Sequence, residues 1–197
     1  MKQKFINWSI NTITKYKDYS EKDIARLKYG LEGLYLTITK MIIILMVALL
    51  LGIFKELIIL LILFNIIRFP AFGFHANKSI TCLIFSIILV IGLPVLFMNI
   101  NIHIIAKIII CIISLISFIL YAPADTVKRP LTNKKKRIIR KTASIIVAII
   151  YIILVFTIKS KYITDLILSA LIIETILINP LTYKAFNMPY RNYLKVK

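Results

Sequence analysis

The stretch Ile80-Thr81-Cys82-Leu83-Ile84-Phe85-Ser86-Ile87-Ile88-Leu89-Val90-Ile91-Gly92-Leu93-Pro94-Val95-Leu96-Phe97-Met98 carries no charged residue. A helix of that length crosses a hydrocarbon core roughly 30 Å thick. Five further apolar runs flank it, at 34–54, 57–69 (extended by 70–74), 102–121, 143–158 and 163–178. The chain is 60% hydrophobic over 197 residues, with a mean hydropathy of +0.90. A soluble domain of this size could not hide so much apolar surface, so the long runs indicate the membrane class. The expected fold is an all-α integral membrane protein. It has about six transmembrane helices, preceded by an N-terminal amphipathic helix in the membrane interface. One multi-span membrane domain covers 1–197: an amphipathic helical segment at 1–33, a transmembrane region at 34–181 and a cytoplasmic tail at 182–197. The second and fifth runs are short for a bilayer, so four spans with two re-entrant or interfacial pieces is the alternative.

Working outward, residues 2–17 place Ile6, Ile10, Ile13 and Tyr16 or Lys17 at helical spacing, with Phe5 and Trp8 beside them and Lys2, Lys4, Lys15 and Lys17 as charges. That pattern suits a helix lying in the membrane surface. It has neither the continuous apolar core nor the small-residue cleavage site of a signal peptide. Ser20-Glu21-Lys22-Asp23 resembles a capping box and predicts a second helix, with Ile24, Leu27, Leu31 and Leu34 as its stripe. The formal net charge is +18. Its cations fall in separate loops of a hydrophobic chain, which points to membrane topology and away from a nucleic-acid partner. With six spans, 21 Lys and Arg collect on one side, including eight between Lys128 and Lys141, and three on the other: Lys55, Lys159 and Lys161. The positive-inside rule then puts both termini, the loop around residue 75 and the 122–142 loop in the cytoplasm. The 122–142 loop reads equally as an anchor to anionic lipid or as a dock for an acidic peptide.

The chain has two His and two Cys, and one of each lies close together here: His75 in the polar break before the quoted run and Cys82 at its start. On one straight helix the two would share a face but stand about 10 Å apart along the axis, too far to exchange a proton. The intervening residues predict a bend. Asn77 and Ser79 are both good N-caps, Gly73 gives the loop freedom, and Pro70 helps end the preceding helix. With Ser79 as cap, Cys82 falls in the first turn, where unpaired N–H groups and the helix dipole favour a thiolate. His75 could then act as its base. Spacing alone leaves this open, because a Cys in an apolar helix ordinarily packs and a His at a membrane edge is ordinarily interfacial. His103 and Cys111 are the controls, the first read as interfacial and the second as packing. Both Cys are expected as thiols, since two cannot make a disulfide framework. Lys40, Lys107 and Glu174 fall within apolar runs. The lysines lie within reach of an aqueous face, whereas Glu174 lies deeper, where it would pair with a Lys, line a polar cavity or mark a tilted, poorly inserted segment.

Arg68-x4-Gly73-x-His75-Ala76-x5-Cys82, followed by Tyr121-Ala122-Pro123-Ala124-Asp125-Thr126-Val127-Lys128-Arg129-Pro130-Leu131, resembles the accessory gene regulator B (AgrB) proteins of Gram-positive bacteria. The resemblance covers nearly the whole chain. One departure is Phe72, which occupies the first position of a Gly-Gly pair found in many members. The resemblance implies a membrane cysteine endopeptidase of quorum sensing. Cys82 is its nucleophile and His75 its base, and no metal or cofactor takes part. The substrate is an AgrD-like pro-peptide whose C-terminal tail is removed. The peptide is left as a thioester on the enzyme and then closes to a thiolactone or lactone. Asn77 and Asp125 are candidates to orient or support His75. Arg68, Lys128, Arg129, Lys134, Lys135 and Lys136 are candidates to bind the substrate. Anionic lipid and a second copy in a homodimer are the further partners. The rival classes are a small multi-span transporter or peptide exporter using Glu174 and Lys107, and a non-enzymatic adaptor. Neither requires a thiol.

Overall fold

A computed structural model describes residues 2–15, 19–74, 79–127 and 130–194, with Ser79 described by its backbone alone. Every element of regular structure among them is helical: α1 (Lys2–Thr14), α2 (Glu21–Leu50), α3 (Phe54–Ala71), α4 (Ser79–Ile87), α5 (Leu93–Asn99), α6 (Ile104–Tyr121), α7 (Lys134–Thr157), α8 (Lys161–Ile178) and α9 (Pro180–Ala185). A π-helical turn, Ile88–Gly92, joins α4 to α5, and a 3-10 turn spans Asn192–Leu194. Pro94 lies in the first turn of α5, so it has no N–H to give to the residue four before it. The wider π turn just upstream accommodates that break within an otherwise continuous span.

The chain forms two compact units, Met1–Gly52 and Ile53–Lys197. In the first, α1 buries Ile6 and Ser9 and leaves Trp8 exposed. The Phe5 ring meets Tyr35 of α2 at 5.5 Å, and Lys2 pairs with Glu32. Tyr16 and Lys17, the end of the sequence-predicted stripe, lie outside the described residues. At α2, the Ser20 side chain accepts the Asp23 N–H and donates to the Asp23 carboxylate at 2.7 Å, a reciprocal cap. From there α2 runs without a break through Leu34 to Leu50, so the predicted second helix and first span are one rod about 45 Å long.

In the second unit α8 is the central helix. Every residue from Thr164 to Leu171 is buried, as are Ile173, Glu174, Leu177 and Ile178. Helices α3, α5, α6 and α7 pack around it. Tyr151 of α7 donates to the Leu63 carbonyl of α3 at 2.7 Å. The outward faces of α6 and α7 are rows of isoleucine such as Ile105, Ile109, Ile112, Ile146 and Ile153, suited to lipid rather than water.

Among the described residues, four helical stretches are long and apolar enough to cross a membrane: Glu21–Leu50, Ile80–Asn99, Ile104–Tyr121 and Lys134–Thr157. The fifth run is therefore not short. Its helix reaches back through the basic residues to Lys134, because Lys and Arg are good helix formers and Asn133 caps them. The two remaining helices, α3 and α8, are each 18 residues long and each carries three charges: Lys55, Glu56 and Arg68 on one, Lys161, Asp165 and Glu174 on the other. Successive segments alternate in direction. The ends of α3, α6 and α8 meet the starts of α4 and α7, as the bonds below establish. At the opposite end Lys161, at the start of α8, donates to the Met98 carbonyl at the close of α5.

Candidate active site

The site is built where α3 stops. Phe72 N–H still bonds back to the Arg68 carbonyl, and then the chain turns sharply. Phe72 has φ 61° and Gly73 φ 125°, both in the region that favours glycine. The turned segment is stitched to 122–125. Ala124 N–H donates to the Ala71 carbonyl at 2.9 Å, and Gly73 N–H donates to the Ala124 carbonyl at 2.8 Å. Phe74 N–H donates to the Leu177 carbonyl of α8 at 2.7 Å. Beneath this turn Arg68 Nη1 faces Glu174 Oε2 at 3.3 Å, and its Nη2 donates to the carbonyls of Phe74 at 2.9 Å and Gly73 at 3.3 Å. A Cβ on Gly73 would come within 2.5 Å of Arg68 Nη1 and 3.1 Å of the Leu177 carbonyl. Glycine is thus demanded twice here, by φ and by the close approach.

His75 and Asn77 lie outside the described residues. The described chain resumes in α4 (Ser79–Ile87), where Cys82 is half-buried. Phe85, three residues on, shares that flank of the helix. It belongs to an aromatic cluster that also fixes the residue before His75. Phe74 meets Phe186 at 4.7 Å, Tyr183 at 5.7 Å and Phe85 at 6.1 Å, and Phe186 meets Phe85 at 5.1 Å. The two stems of the 75–78 segment are therefore anchored in the same packed wall.

Asp125 is 1% exposed. Its carboxylate accepts three backbone N–H groups, from Tyr193 at 2.8 Å, Asn192 at 2.9 Å and Leu131 at 3.2 Å. It clamps the C-terminal segment onto the loop after α6. Tyr183 and Asn192 tie the same segment to the Asp125 carbonyl. Burial pushes the Tyr183 phenol well above its ordinary range, so it stays protonated and donates. Among the described residues, 182–194 thus pack back onto the second unit.

Lys134, Lys135 and Lys136 are exposed in the first turn of α7, and Asn133 accepts the Lys136 N–H at 3.1 Å. Lys128 and Arg129 lie outside the described residues. Two other cations of that loop pack internally: Arg137 stacks on Tyr193 at 3.9 Å, and Arg140 lies over Phe72 at 4.3 Å and donates to the Phe69 carbonyl at 2.7 Å. Of the controls, Cys111 is buried and the exposed His103 caps α6 by accepting the Ile105 N–H at 3.4 Å. Sequence reasoning gave Glu174 a lysine partner or a cavity, whereas its partner is Arg68. Opposite charges toward the C-terminal ends of two largely apolar helices were the available signal.

The family model for accessory gene regulator B matches residues 6–178. A putative AgrB-like protein of Clostridium acetobutylicum is 33% identical over 175 residues, covering 87% of this chain and 82% of that protein. A putative AgrB-like protein of Listeria monocytogenes is 30% identical over 183 residues, covering 92% and 88%. The accessory gene regulator protein B of Staphylococcus aureus is 32% identical over 186 residues, covering 90% and 97%. No solved structure matches.

Proposed function

The chain belongs to the accessory gene regulator B family, and from that premise we propose that it is a membrane cysteine endopeptidase acting on an AgrD-like pro-peptide. Membership and four apolar helices of spanning length make it a membrane protein of accessory gene regulation, associated with the AgrD pro-peptide in quorum sensing. The observation that carries the finer reading is the anchoring of both stems around the dyad. Phe74, the residue before His75, is held by Leu177 and the aromatic cluster, and Cys82 is half-buried in α4 beyond it.

Cys82 Sγ attacks the carbonyl at the start of the peptide's C-terminal tail. His75 takes the thiol proton and passes it to the leaving amine, so the tail departs and an acyl thioester remains on Cys82. A thiol or hydroxyl within the peptide then attacks that thioester, displaces Cys82 and closes the ring. Holding the peptide in place and excluding water both favour closure over hydrolysis. Asn77 is the group we assign to orienting His75. Asp125 supports the site by holding the C-terminal segment. Lys134, Lys135 and Lys136, with Lys128 and Arg129, receive the acidic tail, and Arg68 acts from beneath the loop. In this reading α3 and α8 join the four long helices as spans, α1 lies in the interface, and both termini are cytoplasmic. Anionic lipid meets the basic residues, and the working unit is a homodimer, as the family resemblance implies. Two observations within the second unit support counting α3 and α8 as spans: the alternating direction of its helices, and the internal pairing of Arg68 with Glu174.

Co-expression with the pro-peptide, scored by mass spectrometry for tail removal, tests the reading. Cys82→Ala and His75→Ala should each abolish cleavage while leaving membrane insertion intact. Cys111→Ala and His103→Ala should retain it. Processing by the Cys82→Ala protein would overturn the cysteine mechanism in favour of a transporter or adaptor.

A further inference from the structure

We infer that Glu174 is a positioning residue for the reaction: through Arg68 it fixes the two backbone carbonyls that immediately precede His75. The inference deepens the peptidase reading and rests on it. Glu174 is fully buried in the central helix, with one carboxylate oxygen on Arg68 and the other without a hydrogen-bond partner among the described residues. An ionised carboxylate at such depth is costly and needs a nearby cation. Arg68 supplies that charge, and its fork does a second task that a point charge cannot. One nitrogen faces Glu174 while the other bridges the Gly73 and Phe74 carbonyls at 3.3 and 2.9 Å. Gly73 is shaped to this pair, since any Cβ there would strike the Arg68 nitrogen and come within 3.3 Å of the unpartnered Glu174 oxygen. Phe74 is bonded from its N–H side to the next turn of the same helix, at Leu177. The last turn of α8 therefore holds the residue before His75 twice, once directly and once through the guanidinium. Glu174 touches no reacting atom in this scheme. It sets the direction in which the chain leaves for His75.

The test uses the full-length protein in liposomes, with Cys111→Ala as background so that Cys82 is the single thiol. Two readouts are taken: turnover of the pro-peptide, and the rate of alkylation of Cys82 by iodoacetamide without peptide. Glu174→Gln should lower kcat by on the order of 100-fold, as a displacement of about 1 Å can, with KM little changed. Its alkylation rate should fall to that of His75→Ala. Arg68→Lys keeps the charge next to Glu174 but cannot bridge both carbonyls, so it should insert normally and show the same loss. If Glu174→Gln does not insert, the paired exchange Arg68→Glu with Glu174→Arg decides the matter. The exchange restores the ion pair but not the bonds to Gly73 and Phe74, so it should fold and remain slow. Normal turnover and alkylation in Arg68→Lys, or in the folded exchange, would overturn the inference. Cleavage by Cys82→Ala sinks the peptidase reading instead, so the two failures can be told apart.

Discussion

Phe72 sits at φ 61° and ψ −136°, a backbone region that glycine occupies freely and other residues occupy at a cost of about 1–3 kcal/mol. Its ring partly offsets that cost, because the Arg140 guanidinium lies over it at 4.3 Å, a contact worth about 0.5–1 kcal/mol at a half-exposed site. The residue sits just before Gly73, on the turn that leads to His75, so strain there bears on the reactive segment. Phe72→Ala keeps the unfavourable φ and loses the ring, whereas Phe72→Gly loses the ring and relieves the backbone. The glycine variant should therefore be more stable than the alanine variant by about 1 kcal/mol, the reverse of the usual order in a chain interior. Thermal unfolding of the two proteins in the same detergent measures this, and an alanine variant of equal or greater stability would contradict the strain. At this scale the sequence was informative about identity and silent about conformation. The Gly-Gly pattern singled out Phe72 as a departure, but nothing in one sequence reveals that the position needs a positive φ.

Among the helices, α7 opens against its own dipole. Lys134, Lys135 and Lys136 lie in its first turn, where the dipole disfavours positive charge. Repulsion of that kind persists where the charges face an anion, and an acidic peptide tail or anionic lipid supplies one. Individual exposed pairs are worth at most about 1 kcal/mol, so single substitutions should do little. Replacing Lys134, Lys135 and Lys136 together with Gln should weaken pro-peptide binding, and added salt should mimic the loss in the native protein. Binding to liposomes, with insertion checked in parallel, separates the roles. A correctly inserted triple variant with unchanged peptide affinity leaves α7 as a lipid anchor alone. Element boundaries were harder to read than elements. The run at 143–158 looked short because charge marked its start, yet the helix begins nine residues earlier, at Lys134. The rod from Glu21 to Leu50 looked like two helices because its composition changes near Leu34 while its backbone does not. The long spans were legible because a dozen or more successive apolar residues leave no alternative. The charged α3 and α8 were less so, because their merit depends on a pairing between residues 68 and 174 that only the fold brings together.

On the scale of the whole molecule, the proposed reaction requires that Cys82 and the basic start of α7 face the compartment where the pro-peptide is made. The second unit supplies an internal frame for that question. Bonds join Gly73 to Ala124 and Phe74 to Leu177 at one end, and Lys161 to Met98 at the other. Of the cations in this unit, Arg68, Lys134, Lys135, Lys136 and Arg140 lie toward the first end, and Lys55, Lys159 and Lys161 toward the second. The positive-inside rule then predicts the Cys82 end in the cytoplasm and the turn between α7 and α8 outside, an orientation that labelling tests. Ser160, exposed in that turn as the cap of α8, is the reporter position. In intact cells a membrane-impermeant maleimide should label Ser160→Cys and miss Cys82, and both should react once the cells are permeabilised. Cys111 is buried and should stay unlabelled throughout. Labelling of Cys82 from outside, with Ser160→Cys protected, would invert the molecule. The nucleophile would then face away from any peptide synthesised in the cytoplasm, and the processing mechanism would fall with the topology. Labelling of both from outside would place the two ends on one side, so α4–α5, α6 and α7 could not each cross the bilayer in alternation.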